Sequence, residues 1–139
     1  MSEKTQFYAL SILSSAAGVL LGLPLAIKLL VLAIAVDIIT GLMSAFINST
    51  VNSAVSAQGM TRKGLMLIVT GTAEIVSRAI HISVTVPGGE PLSLGAAVAG
   101  FYAIHEAISI LENLAKAGVP VPKFISERMM NIKKFYDQL

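Results

Sequence analysis

The chain has no cysteine and no tryptophan, and only 13% of its residues are charged. Without cysteine there is no disulfide, no thiolate metal site and no cysteine nucleophile, and the redox compartment stays open. An average soluble domain is about one-quarter charged, and a small one must cover a large surface relative to its volume. Ten Lys and Arg, eight Asp and Glu and two His among 139 residues cannot provide that cover. Disorder is excluded more firmly, because disordered chains are poor in apolar residues. Here 55% are hydrophobic and the mean hydropathy is +0.78. A net charge of +2 with no Lys/Arg block does not suggest a nucleic-acid partner. The class that remains is an integral membrane protein, and the length fits a single unit, residues 1–139.

A spanning helix needs about 20 mostly apolar residues. Thr5 to Ile27 carries no charge, and Leu29 to Thr61 carries only Asp37. Gly22-Leu23-Pro24 divides this stretch, since glycine suits a helix end and proline a helix start. The pattern predicts a first span over 7–23 and a second over 25–47, joined as a tight hairpin. Asn48 to Gly59, small and polar and followed by Arg62 and Lys63, reads as a loop outside the hydrocarbon. A third span over 64–86 ends at the turn cluster Pro87-Gly-Gly-Glu-Pro91, and a fourth over 92–115 ends at Gly118-Val-Pro-Val-Pro122. The expected fold is therefore all-α, with about four transmembrane helices. A cleaved signal peptide is the competing reading of the first span, but Met1–Gln6 balances one Lys with one Glu and a second apolar run follows at once.

Basic residues in short loops set orientation. Lys4, the pair Arg62 and Lys63, and the set Lys116, Lys123, Arg128, Lys133 and Lys134 all fall on one side if there are four crossings. The remaining loop holds Glu90 and no base. Both termini are then cytoplasmic. A three-span arrangement, with an interfacial first segment, reverses the N-terminus. The segment 123–139 places Ile125, Met129, Ile132 and Tyr136 at helical spacing, with Arg128, Lys133 and Lys134 on other faces. Such a basic amphipathic helix suits the headgroup layer, and a solvated tail is the plain alternative.

Ionisable groups inside lipid cost about 2.5–3.5 kcal/mol or more at mid-helix and ask for a reason. Lys28 can snorkel to a surface. Asp37, short and mid-span, must be protonated, paired or wet. Glu74, Arg78 and His81 fall at i, i+4 and i+7 on one face, where the first two can pair locally. In the fourth span His105, Ser109, Glu112 and Lys116 form a stripe, with Glu106 and Asn113 beside it. Glu112 and Lys116 make a favourable i,i+4 pair. The stripe suits either a wet lumen or a buried hydrogen-bonded core in which Asp37 and Arg78 take part. Small residues recur every four positions at Ser14, Gly18 and Gly22, and again at Gly95, Ala99, Ala103 and Ala107, with Ala96 and Gly100 alongside; they allow close helix packing. There is no phosphate-binding glycine loop and no Ser/His/Asp set, and His81 and His105 are single histidines on different spans. No catalytic apparatus or cofactor is expected.

Several segments together resemble the phage holins of the toxin-secretion/phage-lysis type. These are Asp37-Ile-Ile-Thr40-Gly41 followed by Ala45, then Gly59, Lys63 and Gly64, then Phe101-Tyr-Ala-Ile-His-Glu106-Ala-Ile-Ser109-Ile-Leu-Glu112-Asn113, and Gly118-Val-Pro120-Val-Pro122. The likeness runs from about residue 30 to the end. His105 departs from it, standing where the family usually carries Asn. The resemblance implies a protein of the host bacterial cytoplasmic membrane that assembles with itself into lesions. These would dissipate the membrane potential and release an endolysin or export a large toxin. From the residues alone, two other functions compete. One is a transporter subunit using Asp37, Glu74 and Arg78 as a relay, although its halves show no internal repeat. The other is a scaffold or inhibitor of a partner membrane protein, docked by the basic C-terminal segment.

Overall fold

A computed structural model describes residues 2–50, 52–125 and 127. They are mostly helical, in the order α1 (Glu3–Leu21), α2 (Leu25–Ile47), α3 (Ser53–Ile80), a two-strand hairpin of β1 (Ser83–Val84) and β2 (Leu92–Ser93), and α4 (Leu94–Lys116). The expected break between the first two helices falls at Gly22-Leu23-Pro24. Pro24 caps α2, and the Lys28 ammonium turns back to donate 2.8 Å to the Leu21 carbonyl. That oxygen belongs to the last turn of α1, which has no helical donor of its own. Lys28 therefore closes a helix end rather than only reaching for a surface.

The third element differs from the expected span 64–86 at both ends. The polar run after Asn48 is helical from Ser53, because Ala57, Gln58 and Met60 are sound helix formers and the hydroxyls turn inward to their own backbone. Ser56 donates to Asn52 O and Thr61 to Ala57 O, each at 3.0 Å. At the other end His81 takes a left-handed conformation, φ 55°, and the Ile82 N–H closes on Ser77 O at 3.2 Å. That bond is a helix-terminating motif. Ile82, Val84 and Val86 then alternate, which suits a strand better than a helix. The short antiparallel ladder, Ser83 opposite Ser93 and Val84 opposite Leu92, is the departure from an all-helical fold.

Topology follows from the contacts. Ile27, Leu30 and Ile34 pack with Ala99, Gly41 lies against Asn113, and Asn48 donates 3.0 Å to Lys116 O. Both residue numbers rise together, so α2 and α4 run parallel. The hairpin makes α3 antiparallel to α4, which packs against both α2 and α3. One end of the bundle therefore gathers the start of α2, the end of α3 and the start of α4. The other gathers the end of α2, the start of α3 and the end of α4. Gly118, at φ 84°, ends the last helix, with Val119 N–H on Leu114 O and Gly118 N–H on Ala115 O, each at 3.0 Å. Of the basic segment, 123–125 are helical, and residues from 128 onward, with Arg128, Lys133 and Lys134, lie outside the described residues.

The interior is unusual in kind. Buried apolar residues such as Leu30 and Ala99 share it with buried Asp37, Ser44, Thr70, Glu74, Ser77 and Glu106, while Phe46, Ile68 and Ile75 lie on the outside. A soluble fold buries the reverse set. Two helices, α2 and α4, are long and apolar enough to cross a membrane. The third, α3, is 28 residues or about 42 Å long, more than the hydrocarbon thickness, and turns Lys63, Thr70, Glu74 and Ser77 inward.

At Gly95 the start of α4 comes close against α3. A Cβ there would lie 2.5 Å from Glu74 Cβ and 2.8 Å from its Cα, whereas at Gly100 it would meet nothing within 4 Å. Gly95→Ala should lower stability by about 1–3 kcal/mol through overpacking, and Gly100→Ala should be neutral or raise it by up to about 1 kcal/mol. Thermal unfolding of the two variants in detergent, followed by circular dichroism, checks the contrast. Equal midpoints would refute this account of the α3–α4 contact.

Candidate functional site: a buried ion cluster at mid-depth

Asp37 and Glu106 each stand at the thirteenth position of a 23-residue helix, α2 and α4. Because those helices are parallel, the two carboxylates meet at the same height. Lys63, from α3, reaches between them. Its ammonium donates 2.8 Å to Asp37 Oδ2 and also to Glu106 Oε2. The Lys63 side chain is 14% exposed and that of Glu106 only 1%. Asn113, two turns beyond Glu106, donates 2.9 Å to Asp37 Oδ1 and also lies near Thr40 Oγ1. Gly41 leaves room for that amide, since a Cβ there would stand 3.3 Å from Asn113 Nδ2. Three helices thus converge on one cation. With both carboxylates ionised the cluster keeps one net negative charge. Above it, α2 and the first half of α3 bound a cleft of roughly 330 Å³ lined by Gly41, Ala45, Gly59 and Met60, with Asp37 and Lys63 at one end.

A second polar group lies toward the hairpin. Glu74 Oε1 accepts from Arg78 Nε at 2.7 Å, the local i,i+4 pair that the spacing predicts. Its other oxygen accepts from Ser93 Oγ at 2.5 Å, and Ser93 in turn caps α4 by accepting from Ala96 N–H at 3.1 Å. Arg78, with 60% of its side chain exposed, also donates 3.1 Å to Gly22 O at the end of α1. Ser77 Oγ donates 2.5 Å to Ile82 O and accepts from Leu94 N–H at 3.1 Å. Among the described residues every buried side-chain nitrogen or oxygen has a partner.

Several sequence expectations are corrected here. Lys63 is not a membrane-surface base: the helix that begins at Ser53 carries it inward, while Arg62 stays exposed. The partner of Asp37 is Lys63, and Arg78 joins Glu74 instead. His81 does not continue the Glu74–Arg78 face, because the helix ends before it. The inward residues of α4 are Glu106 and Asn113, whereas His105 is 51% exposed, with Nδ1 3.9 Å from Glu106 Oε1. Ser109 and Glu112 are half-buried, and Lys123 is exposed. Of the small residues, Gly95, Ala99 and Ala103 lie in helix contacts and Thr40 and Gly41 border the cluster, while Gly18 has open space around it. Thr70, Ser77 and Ser93 were not expected. The signal was present: Lys63, Thr70 and Ser77 recur every seven residues, a helical stripe hidden by ending the loop too late. Among the described residues no three His, Cys, Asp or Glu side chains gather as a metal site.

An apolar exterior around a paired, charged middle is the arrangement of a protein whose solvent is lipid. The sequence profile of the bacteriophage holin family matches residues 15–134. The chain belongs to the bacteriophage holin family. This holin is thus a membrane protein of a non-enzymatic, pore-forming family. It is also similar to two uncharacterised Clostridium perfringens proteins. One, from strain 13 / type A, is 32% identical over 78 residues, covering 56% of this chain and 53% of the relative. The other, a 14.9 kDa protein of the nagH 3′ region, is 33% identical over 82 residues, covering 58% and 57%. The holin thus spans somewhat over half the length of each of these relatives. No solved structure matches it.

Lys63→Met would leave two buried carboxylates facing each other with no cation. Breaking a buried pair from one side costs about 3–5 kcal/mol, and replacing all members by neutral ones is far milder. The single variant should therefore lose resistance to proteolysis in detergent, and Lys63→Met/Asp37→Asn/Glu106→Gln should recover most of it. A triple variant no better than the single one would show that charge is not what Lys63 supplies.

Proposed function

We propose that this holin accumulates in the host cytoplasmic membrane, associates with itself in many copies and forms lesions that collapse the membrane potential. An endolysin, or a large secreted toxin, then leaves through them. The observation that carries this reading is the charged cluster shared by α2, α3 and α4 at mid-depth, closed off from an exterior that is apolar. One small bundle encloses no path for a folded enzyme, so conduction on that scale requires many copies. Association is driven by mass action and so by accumulated protein. In the proposed arrangement the chain crosses four times with both termini in the cytoplasm. The bundle end that holds Glu90 then faces outward, and the end that holds Lys116 faces the cytoplasm.

The relay proposed for a transporter has less support. Asp37 is bonded to Lys63 and Asn113, Glu74 to Arg78 and Ser93, and the two groups share no hydrogen bond among the described residues. Expression in bacteria loaded with a potential-sensitive dye separates the functions. A holin gives abrupt depolarisation whose onset depends on protein level, a transporter a graded response to substrate, and a scaffold neither. Asp37→Asn and Glu106→Gln should shift the onset of depolarisation more than they alter membrane insertion. Identical onset curves at matched protein levels would remove both residues from the mechanism.

A further inference from the structure

The cleft between α2 and the first half of α3 has apolar walls and one charged end. Ile38, Leu42 and Met60 supply apolar side chains, and the small residues Gly41, Ala45 and Gly59 keep it open. Space remains there because α4 packs against both helices while those two make little direct contact with each other. The volume, roughly 330 Å³, is that of a small-molecule site. Asp37 and Lys63 close the charged end, with 11% and 14% of their side-chain surface still exposed.

That end is not electrically balanced. Two carboxylates, Asp37 and Glu106, share the single ammonium of Lys63, and a charge left over in a low-dielectric interior is costly. Asn113 donates to Asp37 Oδ1 but brings no charge. The His105 imidazole, 3.9 Å from Glu106 Oε1, is beyond hydrogen-bond reach, is charged only when protonated, and is not among the cleft walls. Each Asp37 oxygen has a second lone-pair site, so the carboxylate can accept from a further donor. A bound cation would leave two positive charges against two negative ones. A bare metal ion does not suit the cleft, because the apolar walls offer no oxygen ligands to replace its water. An ammonium on a hydrocarbon body matches both parts.

We propose that this cleft is a binding site for a lipophilic primary ammonium ion. Its nitrogen donates to the Asp37 carboxylate, and its apolar body lies between Gly41 and Ala45 of α2 and Gly59 and Met60 of α3. Bound there, it bridges two helices that otherwise touch little. The site belongs to the single bundle and does not depend on the lesion-forming reading.

Two probes of one shape test it: adamantylamine, protonated at neutral pH, and adamantanol, which is uncharged. Each is titrated into the full-length holin in a non-ionic detergent, with calorimetry as the readout. The amine should bind about tenfold or more tighter than the alcohol, as a hydrogen bond to a charged group warrants. Equal affinities overturn the proposal, because any hydrocarbon, an acyl chain included, would then serve as well. Glu106→Gln separates charge from shape, since Glu106 is not among the cleft walls and the Asp37–Lys63 pair remains. With the extra negative charge gone, the preference for the amine should fall to about twofold or less. A preference that survives in this variant also overturns the proposal. Location is tested by Gly59→Phe, which fills the cleft from a position where an added Cβ meets nothing within 4 Å. Gly71→Phe makes the same enlargement at an equally open glycine of α3 outside the cleft. Amine binding should be lost in the first variant and kept in the second, and equal binding by both would place the ligand elsewhere.

Discussion

One ammonium shared by two carboxylates is the constraint on which the rest of this holin depends. In a low-dielectric interior an unpaired Asp37, Glu106 or Lys63 would each be costly, and pairing only two of them would still strand the third. Bringing all three together requires three helices to meet at one height. That requirement explains why Asp37 and Glu106 sit at matching positions of parallel helices and why α3 must start early enough to deliver Lys63. It also explains the small residues nearby. Gly41 makes room for the Asn113 amide, and Gly95 lets α3 approach α4 far enough for Glu74 to reach Ser93.

The same constraint shapes how the helices hold together. Polar contacts hold α3 to the bundle, and α2 is held to α4 both by the apolar set Ile27, Leu30, Ile34 and Ala99 and by the bonds of Asn113 to Asp37 and of Asn48 to Lys116 O. The apolar outer surface of α2 and α3, with Phe46, Ile68 and Ile75, fits a bilayer.

Much of this was legible in the residues. The break at Gly22-Leu23-Pro24, the course of α2 and α4, the stop at Gly118 and the Glu74–Arg78 pair all follow from local chemistry, and each stands where the spacing puts it. The start of α3 did not. Asn48 to Gly59 is small and polar enough to pass for a loop, and its hydroxyls become compatible with a helix only by bonding the preceding turn. The end of α3 was missed for a related reason. Ser77 stabilises the left-handed turn at His81 through contacts with Ile82 and Leu94, and the second of these comes from a different element.

Composition and periodicity by themselves determined that this chain belongs in lipid, where its long apolar segments break, and which few ionisable groups need an explanation. Those properties depend on near neighbours along the chain and on the bulk balance of polar and apolar surface. Which groups pair was decided by tertiary structure alone. Arg78 and Lys63 are both cations within reach of the interior by sequence, and only the parallel packing of α2 against α4, with α3 beside them, brings Lys63 to Asp37 and leaves Arg78 with Glu74. Charges separated by 26 and 43 positions meet because helix packing sets their heights, and no local rule carries that information.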